Sequence, residues 1–356
     1  MTTTSPYPSL PDLLAATMAV APEAFEKLGG DGFANAPVGT GPYKFESYQR
    51  GGTLALVANQ DYWQGAPGAD RLEISWSADG QTRASLVQAG QADLALDLTP
   101  QALAVIPDSD AVTIERAPID ARYFIYLNMH TGAFADPDLR RAAALAIDKE
   151  AIVSSIFKEG GAEAYNYMVG DLFDTPPTYN DAISYDPGAA KKIVSSKGFP
   201  TITLTYAIGR SPNDAQIGTA IVGMFEAVGF TVNNDPVEFA TFLERRNSQA
   251  TEAAGAQIIN TFRDADEEFR AWVNSTSVAK NCVGDWYDQK GAEALAIADT
   301  DARQKVYEEM EDRLLNQDVC YIPIVKYEGI WAMRSDLGGF TAPRLGTPDY
   351  SKLTLG

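Results

Sequence analysis

The side chains that most often carry chemistry are scarce in this sequence. His130 is the single histidine, with no imidazole or cysteine cluster around it. Triads and most zinc sites need more such groups than the chain holds, so His130 reads as a hydrogen-bonded surface residue. Cys282 and Cys320 are the only cysteines. They are consistent with one disulfide in an oxidising compartment and equally with two buried thiols. Asp264, Asp266, Glu267 and Glu268 follow a strand-like run and allow three readings. As a calcium loop they lack the required spacing and the central glycine. As the start of a helix they are solvated acids favoured by the dipole. As a ligand site they stand where open α/β sheets bind solutes, past the carboxyl end of a strand. Paired acids also raise glycoside hydrolysis, but nothing fixes the separation that reaction requires.

Gly39-Thr40-Gly41-Pro42 lacks the strand–loop–helix setting of a phosphate cradle, and Pro42 removes a donor N–H. A turn with positive φ ahead of a strand is expected there instead. No GxGxxG and no glycine-rich loop leading into GK[ST] occurs.

These residues must be held by regular elements. Tyr43–Tyr48 and Leu54–Ala58, joined at Gly51-Gly52, read as a hairpin. Leu72–Trp76, Leu94–Leu96, Val112–Arg116 and Tyr123–Asn128 read as further strands, and Thr82–Ala89 as a short helix. From Asn128 the grammar changes. Asp136-Pro137, Asp148 and Asp186-Pro187 each place a capping carboxylate before an apolar helical stripe. Ile202–Tyr206, a helix through Ile217, Ile221 and Phe225, Phe230–Val232, a helix at Phe239–Leu243 and Ala256–Asn260 then alternate. Strands alternating with helices imply a largely parallel, covered sheet. Arg303–Leu315 reads as a helix, with strands at Val319–Val325 and Gly329–Met333 after it.

The chain has 356 residues, 45% of them hydrophobic, enough for more than one lobe. No apolar run approaches the roughly 20 residues of a membrane span. Leu13–Ala21 ends in Ala19-Val20-Ala21, which mimics a signal cleavage site. No basic residue precedes it and Pro6, Pro8 and Pro11 interrupt the approach, so a surface helix is expected. The net charge of -20 disfavours nucleic acid and anionic membranes as partners.

Five segments in order resemble the family 5 extracytoplasmic solute-binding proteins of ABC importers for peptides and nickel. They are Pro37–Tyr43 (PVGTGPY), Leu54–Trp63 with Gly65-Ala66-Pro67, Leu86–Asp93 (LVQAGQAD), Asn128–Gly160 and Tyr185–Phe199 (YDPGAAKKIVSSKGF). The resemblance implies an α/β periplasmic-binding-protein-like fold of type II, two lobes joined by a hinge. The first lobe would comprise residues 1–128 and 321–356 and the second 129–320. Segments that relatives carry before the counterpart of Leu10 are missing, so the fold is expected to be N-terminally truncated. It further implies a monomeric, non-enzymatic receptor outside the cytoplasm, without cofactor or metal, that hands a peptide or other small solute to a membrane permease. An oligosaccharide, opine, haem or metal chelate on the same scaffold is the alternative, and a hydrolase the more distant one. Peptide-binding members pair an Asp after a second-lobe strand with the peptide amine; the matching position is Asp264, with Phe262 lining the same cleft. Asp97, Tyr206 and Arg210 complete the expected ligand contacts, Arg210 by a loose match to the carboxylate-binding Arg of dipeptide receptors.

Overall fold

A computed structural model describes residues 1–356 except 1, 4–5, 50, 108–109, 158–159, 167–168, 170–182, 212, 260–263, 278–279, 281, 283 and 346. In chain order the helices are α1 (Leu10–Ala16), α2 (Pro22–Asn35), α3 (Gly80–Gln88), α4 (Pro137–Ala146), α5 (Lys149–Ile156), α6 (Pro187–Ser196), α7 (Asp214–Ala227), α8 (Phe239–Asn247), α9 (Ala265–Trp272), α10 (Asp285–Leu295) and α11 (Thr300–Asp312). The strands are β1 (Tyr43–Tyr48), β2 (Leu54–Ala58), β3 (Arg71–Ile74), β4 (Leu94–Ala95), β5 (Val112–Leu127), β6 (Ala162–Ala164), β7 (Thr201–Ile208), β8 (Thr231–Glu238), β9 (Ala253–Ile259), β10 (Tyr321–Arg334), β11 (Leu337–Gly338) and β12 (Thr354–Leu355). Among the described residues no helix is long and apolar enough to cross a membrane.

The chain divides into two compact units, Met1–Leu14 with Ile119–Glu328, and Ala15–Pro118 with Gly329–Gly356. The division falls at 118/119 and 328/329, not at the expected 128/129 and 320/321. The cause is that β5 and β10 are each one unbroken strand where two shorter ones were expected. Ala121–Leu127 of β5 pairs with β9, which commits that half to the larger unit. Val325 of β10 pairs with Ala164 in β6, whereas Ala332 pairs with Ala95 in β4.

In the larger unit β7 runs parallel to both β8 and β9, and β5 pairs antiparallel with β9. Parallel neighbours need crossover connections, which α7 and α8 supply. Helices cover both faces, so the end of β5 is a continuous buried run from Asp120 to Leu127. The period of two sorts it: Tyr123, Ile125 and Leu127 join one core with α4, α6 and α7, and Phe124 and Tyr126 join the other with α9 and α11. Burying a Phe, Leu or Ile side chain contributes roughly 1.5–3 kcal/mol, so these two layers dominate the unit's stability. The anticipated caps are present: Asp136, Asp148 and Asp186 accept from the N–H of Asp138, Ala151 and Ala189. Cys282 and Cys320 form a disulfide, with Cα atoms 5.7 Å apart.

The smaller unit holds the antiparallel sheet β1-β2-β3, the core of α3 with Ala95, Leu98, Ala102 and Ile330, and the β11-β12 pair. Gly39 and Gly41 precede β1 as expected, but neither has positive φ; Asn59 fastens the turn by donating to the Gly41 carbonyl at 3.0 Å. α1 and α2 bury no side chain, in keeping with a surface helix in that stretch.

Candidate functional site

The larger unit presents the carboxyl ends of its three parallel strands in one register, with Ile208 of β7 opposite Glu238 of β8. After β7 the chain turns through Gly209 (φ 72°), Arg210 and Asn213 (φ 63°) into α7. Asp214, only 4% exposed, fixes that turn. One of its oxygens accepts from the N–H of Arg210 at 2.9 Å and of Ser211 at 3.0 Å, and the other from Ala215 N–H at 2.7 Å. With its backbone so held, Arg210 is exposed and its guanidinium lies 4.9 Å from the centroid of the Phe239 ring. Phe239 opens α8 directly after β8 and stacks on Phe242. A cation over an aromatic face keeps its N–H edges available to a carboxylate. Among the described residues no ion pair engages Arg210.

The acidic cluster beyond β9 is arranged differently from the solvated acids expected of a helix start. Asp264, Asp266 and Glu268 are all buried. Asp264 caps α9, accepting from Asp266 N–H at 2.9 Å, while its second oxygen accepts from Arg303 Nη2 at 2.5 Å. The two side chains are 3% and 7% exposed. Burial raises the Asp264 carboxyl above its ordinary range, and the Asp266 N–H and Arg303 only partly oppose this. Glu268 is raised too, first by burial, against the pull of Arg122; Tyr321 donates to it at 3.4 Å. Asp266 accepts from Ser9 Oγ at 3.1 Å. Among the described residues no group of three or more His, Cys, Asp or Glu could hold a metal.

Of the remaining expected contacts, Tyr206 lies in the core, 2% exposed, its hydroxyl 3.4 Å from Thr219 Oγ1. β7 continues two residues past it to Ile208, so Tyr206 faces α7 inside the sheet layer and is not at the strand mouth. Phe262 falls outside the described residues. Asp97 belongs to the smaller unit, where it is exposed in the left-handed region at φ 52°. Its carbonyl accepts from Arg83 Nη2 at 2.7 Å, and its charge adds to the burial that raises Tyr350. His130 is exposed, its backbone N–H donating to Asn128 Oδ1 at 3.0 Å. Sequence reading missed Asp214, Phe239 and Arg303 as parts of the site. Only Asp214 left a signal, an acid at the first position of an apolar helix.

A family model described as bacterial extracellular solute-binding proteins, family 5, middle, matches residues 1–280. Heme-binding protein A of Haemophilus influenzae is 26% identical over 327 residues, 87% of this chain and 58% of that protein. Di/tripeptide-binding protein 2 of Pseudomonas aeruginosa is 24% identical over 339 residues, 92% of this chain and 63% of that protein. The chain thus spans about three fifths of these relatives' length. A dipeptide-binding protein from Pseudoalteromonas sp. SM9913, solved in complex with Met-Leu, superposes with a TM-score of 0.83 at 20% identity, covering 99% of this chain and 73% of that one. That likeness establishes the fold as the periplasmic-binding-protein type II architecture. The matched family model, extending over most of the sequence, places this chain among the bacterial extracellular solute-binding proteins of family 5.

Proposed function

We propose that the chain is the solute-capturing part of an ABC-importer receptor that binds a peptide-like solute and passes it, unaltered, to a membrane permease outside the cytoplasm. The observation that carries the reading is the exposed Arg210 guanidinium, seated on Phe239 at the carboxyl ends of parallel strands, where α/β sheets take up ligands. The two compact units would serve as the two lobes of such a receptor. Ligand capture of this kind shifts the protein's population toward its ligand-bound arrangement. The peptide-binding relatives favour a peptide over the haem named for the Haemophilus relative. Isothermal calorimetry with a dipeptide panel should give saturable one-to-one binding, with every peptide recovered intact by mass spectrometry. Heat from progressive peptide cleavage, or binding of haem in preference to any peptide, would refute the proposal.

A further inference from the structure

The geometry points to a second binding site inside the larger unit: a cavity between α9, α10 and α11 that takes a small primary ammonium with a compact apolar body. It shares no residue with the Arg210 turn and stands independently of the solute-capture reading.

The cavity measures about 140 Å³. An engineered cavity of about 150 Å³ with apolar walls admits benzene, so this space suits one small ring or branched alkyl group. Its floor is apolar and closed: Phe269, Tyr287, Tyr307 and Met310 are all buried. Phe269 and Tyr307 stack with centroids 5.3 Å apart, which fixes the shape of that floor. Charges stand along the wall. Asp266 is already answered, accepting from Ser9 Oγ at 3.1 Å with Arg270 Nε 3.5 Å away. Asp288 is not. One of its oxygens accepts from Ser275 N–H at 2.8 Å. The residue is partly exposed, and among the described residues no cation pairs with it. Asp266 and Asp288 against Arg270 leave the lining one negative charge, on a chain whose net charge of -20 repels anions. A carboxylate with one oxygen to spare, beside aromatic walls, receives an ammonium: N–H groups bond the oxygen while the rings attract the charge. Such an occupant bridges α9 to the α10–α11 pair, which Lys290 and Glu309 join at 2.8 Å.

The test is calorimetry on the full chain with benzylamine, benzyl alcohol and benzoate, which share a ring and differ in charge, repeated on Asp288→Asn and Gly291→Leu. A β-carbon at Gly291, on the α10 wall, meets nothing within 4 Å. Leucine there fills open space at the cavity wall and improves helix propensity. Wild type should bind benzylamine one to one, about twofold to fivefold tighter than benzyl alcohol, the scale of a partly exposed ion pair. Benzoate should bind weakest. Asp288→Asn should bring the amine down to the alcohol, and Gly291→Leu should abolish binding of both. Equal affinity for amine and alcohol in wild type, or a preference that persists in Asp288→Asn, overturns the ammonium assignment. Binding undiminished in Gly291→Leu, or no saturable heat from benzylamine, overturns the site. Dipeptide titrations of both variants should match wild type, which separates a failure here from a failure of solute capture.

Discussion

Replacing Arg303 with methionine probes the buried pair most sharply. Methionine keeps much of the volume and removes the charge, leaving the Asp264 carboxylate 3% exposed at its side chain without its cation. Removing one partner of a buried pair costs about 3–5 kcal/mol. The carboxyl has an escape, protonation, which sets a ceiling. Protonating a group of ordinary pKa 3.8 costs about 4 kcal/mol at pH 7 and about 1.5 kcal/mol at pH 5, at 1.36 kcal/mol per unit. The folded pKa of Asp264 is already raised, and the substitution raises it further. A raised carboxyl contributes stability below its unfolded pKa and loses it as pH rises through the folded value. The deficit of Arg303→Met relative to wild type should therefore be about 3–4 kcal/mol at pH 7 and shrink to about 1–1.5 kcal/mol at pH 5. Urea unfolding at the two pH values measures it. The double variant Asp264→Asn/Arg303→Met keeps a capping side chain without the charge, so its own stability should carry no contribution from this carboxyl's titration between pH 5 and 7. A single-variant cost under about 1 kcal/mol, or one that does not change with pH, would refute the buried-pair reasoning.

Other parts of the fold give equally direct expectations. The Cys282–Cys320 disulfide closes a separation of 38 residues, so its removal by double Ala substitution should cost about 4 kcal/mol by loop entropy, read from denaturant midpoints under non-reducing conditions. Lys149 is 8% exposed, donates to the Tyr165 carbonyl and to Asn166 Oδ1, and burial pulls its pKa down to about 7. Its stabilising contribution is present above 10.5 and lost as pH falls toward 7, so Lys149→Met should raise stability at pH 7 by roughly 1–4 kcal/mol and flatten the dependence between pH 7 and 10. A β-carbon at Gly218 would overlap the Tyr206 ring; Gly218→Ala should cost about 1–3 kcal/mol in thermal or chemical unfolding.

What could be read from sequence was local. Asp136, Asp148 and Asp186 announce their helices because a cap and the stripe it precedes lie within one turn. The alternation from Ile202 to Ile259 likewise conveys a parallel layer, since period and length are encoded in neighbours. β5 and β10 were read as pairs of strands because the stretch at 117–122 and the Glu328-Gly329 step resemble breaks. Pairing with β9, β6 and β4 carries the strands straight through. The sequence expectation ends this strand at Tyr206, whereas β7 pairs with β8 through Ile208 and Tyr206 is buried inside it. The Asp264–Arg303 pair joins residues 39 apart, and no local pattern reports such a partner. The left-handed backbone of Asp97 is equally silent, since Asp tolerates that region without requiring it.

Capture of a small solute by this chain can be read directly by mass. Native mass spectrometry of the protein, purified without denaturant and then exposed to a mixed dipeptide and N-acyl amino acid library, should show one ligand-sized mass increment that reaches one per chain and is lost in Arg210→Gln. A spectrum with no increment at saturating library concentration, or an increment undiminished in Arg210→Gln, would contradict it.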